Sequence, residues 1–105
     1  MQNRYTDLAA KLTRHVTAPG ITASPVEQVN LIYTTEYHGR TPVLYQPRMI
    51  VILQGHKVGY LADQVFRYDP SHYLLMTLPL PCECECFASP EQPLVGFSLE
   101  INVAT

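Results

Sequence analysis

Three cysteines alternate with two glutamates in the segment from Cys82 to Cys86. In an extended strand the three thiols would share one face, about 6.6 Å from one to the next, because a strand rises about 3.3 Å per residue. Two sulfurs on one zinc ion lie under about 4 Å apart, so a straight strand does not present two thiols to one metal. We therefore predict that Cys82, Cys84 and Cys86 are reduced and buried, with Glu83 and Glu85 towards water.

A redox or thiol-reactive sensor is the functional alternative for these cysteines. A thiol becomes reactive when a cationic neighbour lowers its pKa, and the sequence around the three cysteines supplies no such neighbour. An odd number of cysteines in a chain with enough apolar residues for a core also argues against a secreted disulfide framework.

The four histidines do not form a recognisable metal motif. They are His15, His38, His56 and His72, and no two of them stand in His-X-His or His-X-X-X-His spacing. We expect the last three in loops or turns, and we predict no metal site. Because Gly-X-Ser-X-Gly and a phosphate-binding glycine loop are also absent, the sequence predicts no catalytic residue and no cofactor.

The composition of the 105 residues is typical of one folded domain, which we place at residues 1–105. Apolar residues make up 47% of the chain and charged residues 15%. The net charge is -2 and the seven basic residues are scattered, so this chain alone is not expected to bind DNA. Without an apolar run of about 20 residues or a leader pattern, we expect no membrane contact and a cytoplasmic location.

One amphipathic helix is predicted over about residues 3–16. Its apolar stripe, at helical spacing, is Tyr5, Leu8, Leu12 and Val16. Pro19 and Gly20 should end it. We expect it to cover the outer face of the apolar strand MIVIL at 49–53.

After Pro25, short runs rich in β-branched and aromatic residues alternate with turn residues, which predicts an all-β architecture. The predicted strands are 28–37, 43–46, 48–54, 57–61, 65–68, 73–78, 83–88 and 94–102. Eight short strands over about residues 26–103 are typical of a sandwich or a barrel.

Two dipeptides, Gly55-His56 and Ala62-Asp63, are interpreted as two-residue hairpin turns. Because side chains alternate across a strand, these turns would set which residues share a face. The face predicted to line the barrel interior holds Ile50, Ile52, Gly59, Leu61, Phe66 and Tyr68.

Four pieces of the segment 44–99 resemble the N-terminal domain of AraC-type transcription regulators. They are LYQP at 44–47, VILQGHK at 51–57, YDPSHYLL at 68–75 and ASPEQP at 88–93. The resemblance implies a cupin-like antiparallel barrel, or double-stranded β-helix, that senses a small molecule or assists dimerisation. In the family this domain is joined to a C-terminal pair of helix-turn-helix motifs, which is absent from this chain and would make the DNA contacts.

We therefore predict a non-enzymatic domain that binds a small organic effector inside the barrel and can form a homodimer. Tyrosine combines apolar area with one hydroxyl, which suits such a site. The predicted contact residues are Ile50, Ile52, Leu61, Phe66 and Tyr68. One alternative is a small metal-dependent cupin enzyme that uses His56 and His72 with a carboxylate, although the His-X-His motif of enzymatic cupins is missing. The other is a purely structural dimerisation domain with a solidly packed barrel.

Overall fold

A computed structural model describes residues 2–101 as one α-helix and nine β-strands. The elements are α1 (Gln2–Thr13), β1 (Gly20–Ala23), β2 (Val29–Thr34), β3 (His38–Tyr45), β4 (Arg48–Gln54), β5 (His56–Leu61), β6 (Gln64–Tyr68), β7 (Leu74–Met76), β8 (Leu80–Phe87) and β9 (Leu94–Glu100). In this part of the chain no helix is long and apolar enough to cross a membrane.

The strands form two antiparallel sheets, so the predicted all-β class with one helix is confirmed. One sheet has the order β1-β2-β9-β4-β7 and the other the order β3-β8-β5-β6. Within residues 2–101 no strand is paired to both sheets, and the sheets do not close into the barrel that we predicted. The architecture is a two-sheet sandwich with a core between the sheets.

The helix α1 ends three residues before the predicted boundary at Val16. The N–H groups of His15 and Val16 bond to the carbonyls of Leu12 and Thr13, three residues back, so the chain forms a tight turn there instead of α-helix. As expected, α1 covers the outer face of β4. It does so through Ala9, which is buried, and Leu12.

The outer cluster contains Ala9, Leu53 and Val95, with Val51 and Phe97 packed against it. From the predicted apolar stripe of the helix, Leu8 is 44% exposed, so it does not belong to the buried face. The side chain of Tyr5 lies outside the described part of the chain. The helix therefore packs through a small residue, which brings its backbone close to the sheet.

Eight of the nine strands occupy segments that the sequence predicts, with ends that differ by up to five residues at the start of β3. The missed strand is β1, which precedes Pro25 and has only four residues. It pairs with β2 alone, and most of its residues are exposed, so it lacks the apolar alternation by which strands are recognised. Of the last predicted strand, Asn102 lies outside the described residues.

The predicted hairpin at Gly55-His56 is wrong. Strand β4 pairs with β7 and β9, whereas β5 pairs with β6 and β8, so the chain crosses from one sheet to the other at this point. A register shift between Ile52 and Gln54 precedes the crossing, and Gly55 turns the chain with a φ of 80°. The second turn is confirmed, because Leu61 pairs with Gln64 across Ala62-Asp63.

Although the first turn is wrong, the predicted inner face does point into the core. The side chains of Ile50, Ile52 and Tyr68 are at most 2% exposed and lie in one cluster between the sheets. Leu61 and Phe66 are partly buried and pack against that cluster. The same residues point inward in either arrangement, because the inner surfaces of both sheets face one common core.

Candidate functional site

A cavity of about 270 Å³ lies between the two sheets, on the side where the edge strands β1 and β3 face each other. Its lining comes from both sheets and consists of Gly20, Ile21, Ile32, Tyr33, Thr34, His38, Thr41, Val43, Lys57, Cys84, Cys86 and Leu94. The surface of the cavity is mostly apolar, with a few polar groups. This combination is typical of sites for small organic molecules, although the volume lies just below the usual range of about 300–1,000 Å³.

Lys57 is the basic side chain that lines the cavity from β5, and it is only 6% exposed. It points inward because it shares the period-2 face of Gly59 and Leu61. In the sheet it lies opposite Cys86 on β8 and Tyr68 on β6. Its Nζ is 5.8 Å from the centre of the Tyr68 ring, within cation–π range.

The three cysteines share the inner face of β8, as the sequence predicts. Cys82 and Cys84 are buried, Cys86 is half-buried, and no disulfide joins them. The expectation that they have no cationic neighbour is wrong, because the positive charge of Lys57 acts to lower the pKa of Cys82 and Cys86. This neighbour was missed because Lys57 is far from the cysteines in sequence.

The net effect on the thiols is nevertheless a raised pKa. Burial raises the pKa of Cys82, and the hydrogen bond with Cys84 together with burial raises that of Cys86 strongly. Both effects outweigh the charge of Lys57. With its pKa raised, the thiol of Cys86 is protonated at neutral pH. It is therefore a weak nucleophile and gives the cavity wall an uncharged, polarisable surface.

Two polar contacts fix side chains around the cavity. The hydroxyl of Tyr68 and Sγ of Cys84 form a hydrogen bond of 3.0 Å in the buried core. At the other side, Oγ1 of Thr34 lies 3.4 Å from Nε2 of His38. Thr34 is 7% exposed, whereas His38 is at the surface, so this pair connects the cavity with solvent.

The five predicted contact residues come together in the structure but do not line this cavity. They are Ile50, Ile52, Leu61, Phe66 and Tyr68, and they form the packed part of the core cluster. Ile32, Cys84 and Leu94 belong to both that cluster and the cavity wall, so the two regions are continuous. Ligand binding by the five residues stays a prediction.

The histidines are placed differently from the sequence expectation. His38 and His56 each begin a strand instead of lying in a loop. The ring of His56 stacks on Phe87 at 4.5 Å, and Nδ1 of His72 is 3.2 Å from a carboxylate oxygen of Asp69. Among residues 2–101, no three His, Cys, Asp or Glu side chains are close enough to hold a metal ion.

Glu83 and Glu85 occupy the outer face of β8, opposite the thiols. Glu85 accepts hydrogen bonds from the hydroxyls of Tyr37 and Tyr60, which lowers the pKa of its carboxyl group and raises the pKa of both tyrosines. Glu83 forms an exposed ion pair with Arg40 at 2.6 Å. Both carboxylates are therefore held away from the cavity.

A second and larger depression of about 570 Å³ lies beside His56, Arg67 and Phe87. Its lining is mainly polar. Since small-molecule sites are mostly apolar, we take the cavity between the sheets as the candidate site despite its smaller volume.

Comparison with known proteins adds one finding. A family model described as the AraC-type transcriptional regulator N-terminus matches residues 25–105, which include every strand except β1. No curated protein and no solved structure matches the chain.

Proposed function

The chain belongs to the family of AraC-type transcriptional regulator N-terminal domains, and from this premise we propose that it is a sensor domain that binds a small organic effector in the cavity between its two sheets. The observation that carries the proposal is the cavity of about 270 Å³, whose mostly apolar wall contains a few polar groups. A purely structural dimerisation domain is expected to be solidly packed, without such a cavity. The site residues of the proposal are therefore the cavity lining, with the cluster around Tyr68 as its support.

The proposal includes the wider setting that the family suggests. DNA would be read by a C-terminal helix-turn-helix half of the regulator, since a net charge of -2 does not suit this domain to phosphate contacts. The working regulator would be a cytoplasmic homodimer with a regulatory and not a catalytic role. The two sheets would correspond to the two sheets of a cupin-like fold, with the effector bound between them.

Regulation would follow from a difference in affinity between two conformations. A ligand shifts a conformational equilibrium only by as much as it binds one state better than the other. The cavity lining comes from both sheets. A ligand that contacts both walls would therefore stabilise the conformation in which the distance between the two sheets fits the ligand.

The proposal is tested by blocking the cavity. Thr41 lines the cavity from the edge strand β3 and is exposed, so Thr41→Phe adds bulk there with little risk to the core. Small organic molecules that bind the wild-type chain in a ligand-observed NMR screen should lose affinity for this variant. The matched control is Val65→Phe, on the distant edge strand β6, where the side chain is 66% exposed. A screen without hits, or hits that bind Thr41→Phe unchanged, would contradict the proposal.

A further inference from the structure

We propose that two copies of this chain associate through the edge strand β6, which pairs antiparallel with β6 of the second copy about a two-fold axis at Val65. This inference rests on the proposed function, because it names the surface through which the homodimer forms. The surface lies on the side of the sandwich opposite the cavity, and no residue of β6 lines that cavity.

Of the four edge strands in residues 2–101, β6 has the most regular backbone. Proteins protect sheet edges from pairing with other chains by short strands, prolines and bulges. Strand β7 has only three residues, and β1 has four, the first of which is Gly20 with a φ of 98°. Strand β3 contains Pro42 and a register shift between His38 and Thr41. By contrast, the five residues of β6 pair with β5 without a shift and include neither proline nor glycine.

The backbone groups on one side of β6 are available for a further strand. Leu61 pairs with Gln64 across the two-residue turn Ala62-Asp63, whose first residue has a positive φ of 53°, as in a type II′ turn. The backbone N–H and C=O of Gln64 therefore point to β5. Because these groups alternate along an antiparallel strand, those of Val65 and Arg67 point to the open edge. A second strand must therefore place odd-numbered residues opposite odd-numbered residues of β6.

Charge selects one register among those that meet this condition. With the axis at Val65, Arg67 of each copy lies opposite Asp63 of the other, and the two valines meet at the centre. An axis at Phe66 would place Asp63 opposite Asp69, and an axis at Arg67 would place two arginines opposite each other. Facing residues of opposite charge stabilise a strand pair, and like charges destabilise it. The edge is thus self-complementary in the first register.

The exposed side chains at this edge suit the contact. Val65 is 66% exposed, more than any other large apolar side chain that the structure describes. Arg67 bonds to Asp69 through Nε, which leaves its Nη groups for a carboxylate of the second copy. On the same side of the sandwich, Leu75 and Tyr73 are also exposed. Since a short strand pair buries less than the roughly 1,200 Å² of a stable interface, we expect a weak, reversible dimer.

The first test reverses one charge at a time. Asp63→Arg would place two arginines opposite each other at both ends of the strand pair, and Arg67→Glu would place two carboxylates there. Sedimentation equilibrium should show a dimer dissociation constant that is higher by about tenfold or more in each variant, because two exposed ion pairs change from attraction to repulsion. Asp7→Arg makes the same charge change on the exposed surface of α1 and should associate like the wild-type chain. A monomeric wild-type chain at millimolar concentration, or unchanged association of Asp63→Arg, would overturn the proposal.

The second test mixes the two variants. In a mixed dimer the new arginine of one copy faces the new glutamate of the other, and the native Arg67 of the first faces the native Asp63 of the second. An equimolar mixture should therefore associate again, although neither variant does so alone. A mixture that stays monomeric would contradict the proposed register. Melting temperatures check that both variants fold, and if Arg67→Glu does not, the comparison of Asp63→Arg with Asp7→Arg decides.

The outcomes separate this inference from the effector site of the proposed function. Thr41 lies on β3, at the opposite edge of the sheet from β6, so the ligand screen does not depend on the proposed interface. If ligands bind the cavity and the chain is monomeric, the effector site stands and this inference fails. If the chain dimerises and Asp63→Arg has no effect, the homodimer forms through another surface and this inference also fails. If mixing restores the dimer and no ligand depends on the cavity, this inference stands without the effector site.

Discussion

At the scale of single residues, Asp69 at the end of β6 has the most perturbed carboxyl group with a clear structural cause. Burial opposes its ionisation, but three donors outweigh burial and lower its pKa from 3.8 to about 2. Its carboxylate accepts hydrogen bonds from Nε of Arg67 at 2.8 Å, from the N–H of Ser71 at 2.9 Å and from Nδ1 of His72 at 3.2 Å. These bonds hold the turn that follows β6.

The Asp69 turn predicts a specific dependence of stability on pH. Because the pKa is lower in the folded state, the ionised carboxyl stabilises the fold above about pH 4, and this contribution is lost as the pH falls towards 2. Asp69→Asn should lower the free energy of unfolding by about 1 kcal/mol at pH 6, a value discounted because Arg67 and His72 are largely exposed. Urea unfolding at pH 6 and pH 2 measures this difference.

The matched control is Asp63→Asn, in the exposed turn between β5 and β6. It should change stability little at either pH. If the effect of Asp69→Asn were as large at pH 2 as at pH 6, the amide would be disturbing the packing of the turn and the electrostatic explanation would be wrong.

Lys57 shows why residue identity alone does not locate a site. The period-2 pattern places it on the inner face with Gly59 and Leu61, yet a lysine beside a glycine turn is normally exposed to water. Its burial depends on β8, which brings Cys86 opposite it although the two residues are 29 positions apart. Buried thiols could be predicted because alternation within one strand is local, but the cation beside them could not.

At the scale of elements, the crossing between β4 and β5 depends on Gly55. Its φ of 80° lies in the left-handed region, and a Cβ there would stand 3.1 Å from Cα of Leu94 and 3.3 Å from the carbonyl oxygen of Phe87. These two backbone atoms belong to different sheets, so neither can move without disturbing its own ladder. The glycine therefore sets the point at which the chain changes sheets.

Gly55→Ala should lower the free energy of unfolding by more than about 1 kcal/mol, since strain at a positive φ adds to a close backbone contact. Chemical denaturation of the purified variant measures this loss. Gly39→Ala is the control, because a Cβ at Gly39 would meet no atom closer than 3.9 Å. Equal stability of the two variants would show that the crossing tolerates a side chain and that Gly55 does not determine it.

The same crossing marks the limit of what the sequence predicts about the elements. Strand positions follow from apolar alternation and turn residues, and so eight strands and the Ala62-Asp63 hairpin could be found. A Gly-X dipeptide between two strands is also the usual pattern of a hairpin turn. Nothing in the local sequence distinguishes such a turn from a crossing between sheets. The distinction comes from the pairing of β4 with β9 and of β5 with β8, contacts between distant segments.

At the scale of the whole molecule, the cavity lies beside one edge strand of each sheet. Strand β1 pairs only with β2, and β3 pairs only with β8, so each is an edge strand. Gly20 and Ile21 on β1 and Thr41 on β3 contribute to the cavity wall. A bound ligand would thus contact two edge strands, elements that can open by local unfolding.

Hydrogen exchange should therefore show which edge strands a bound ligand stabilises against local opening. A ligand found in the NMR screen should slow amide exchange in β1 and β3, because an opening that removes these strands also releases the ligand. The reduction is up to about 100-fold when the ligand concentration is about 100 times the dissociation constant. The edge strands β6 and β7, which contribute no residue to the cavity, are the internal control and should exchange as before wherever their opening is local. Slower exchange at β6 and β7 without an effect on β1 and β3 would place the ligand at the other side of the sandwich and contradict the site.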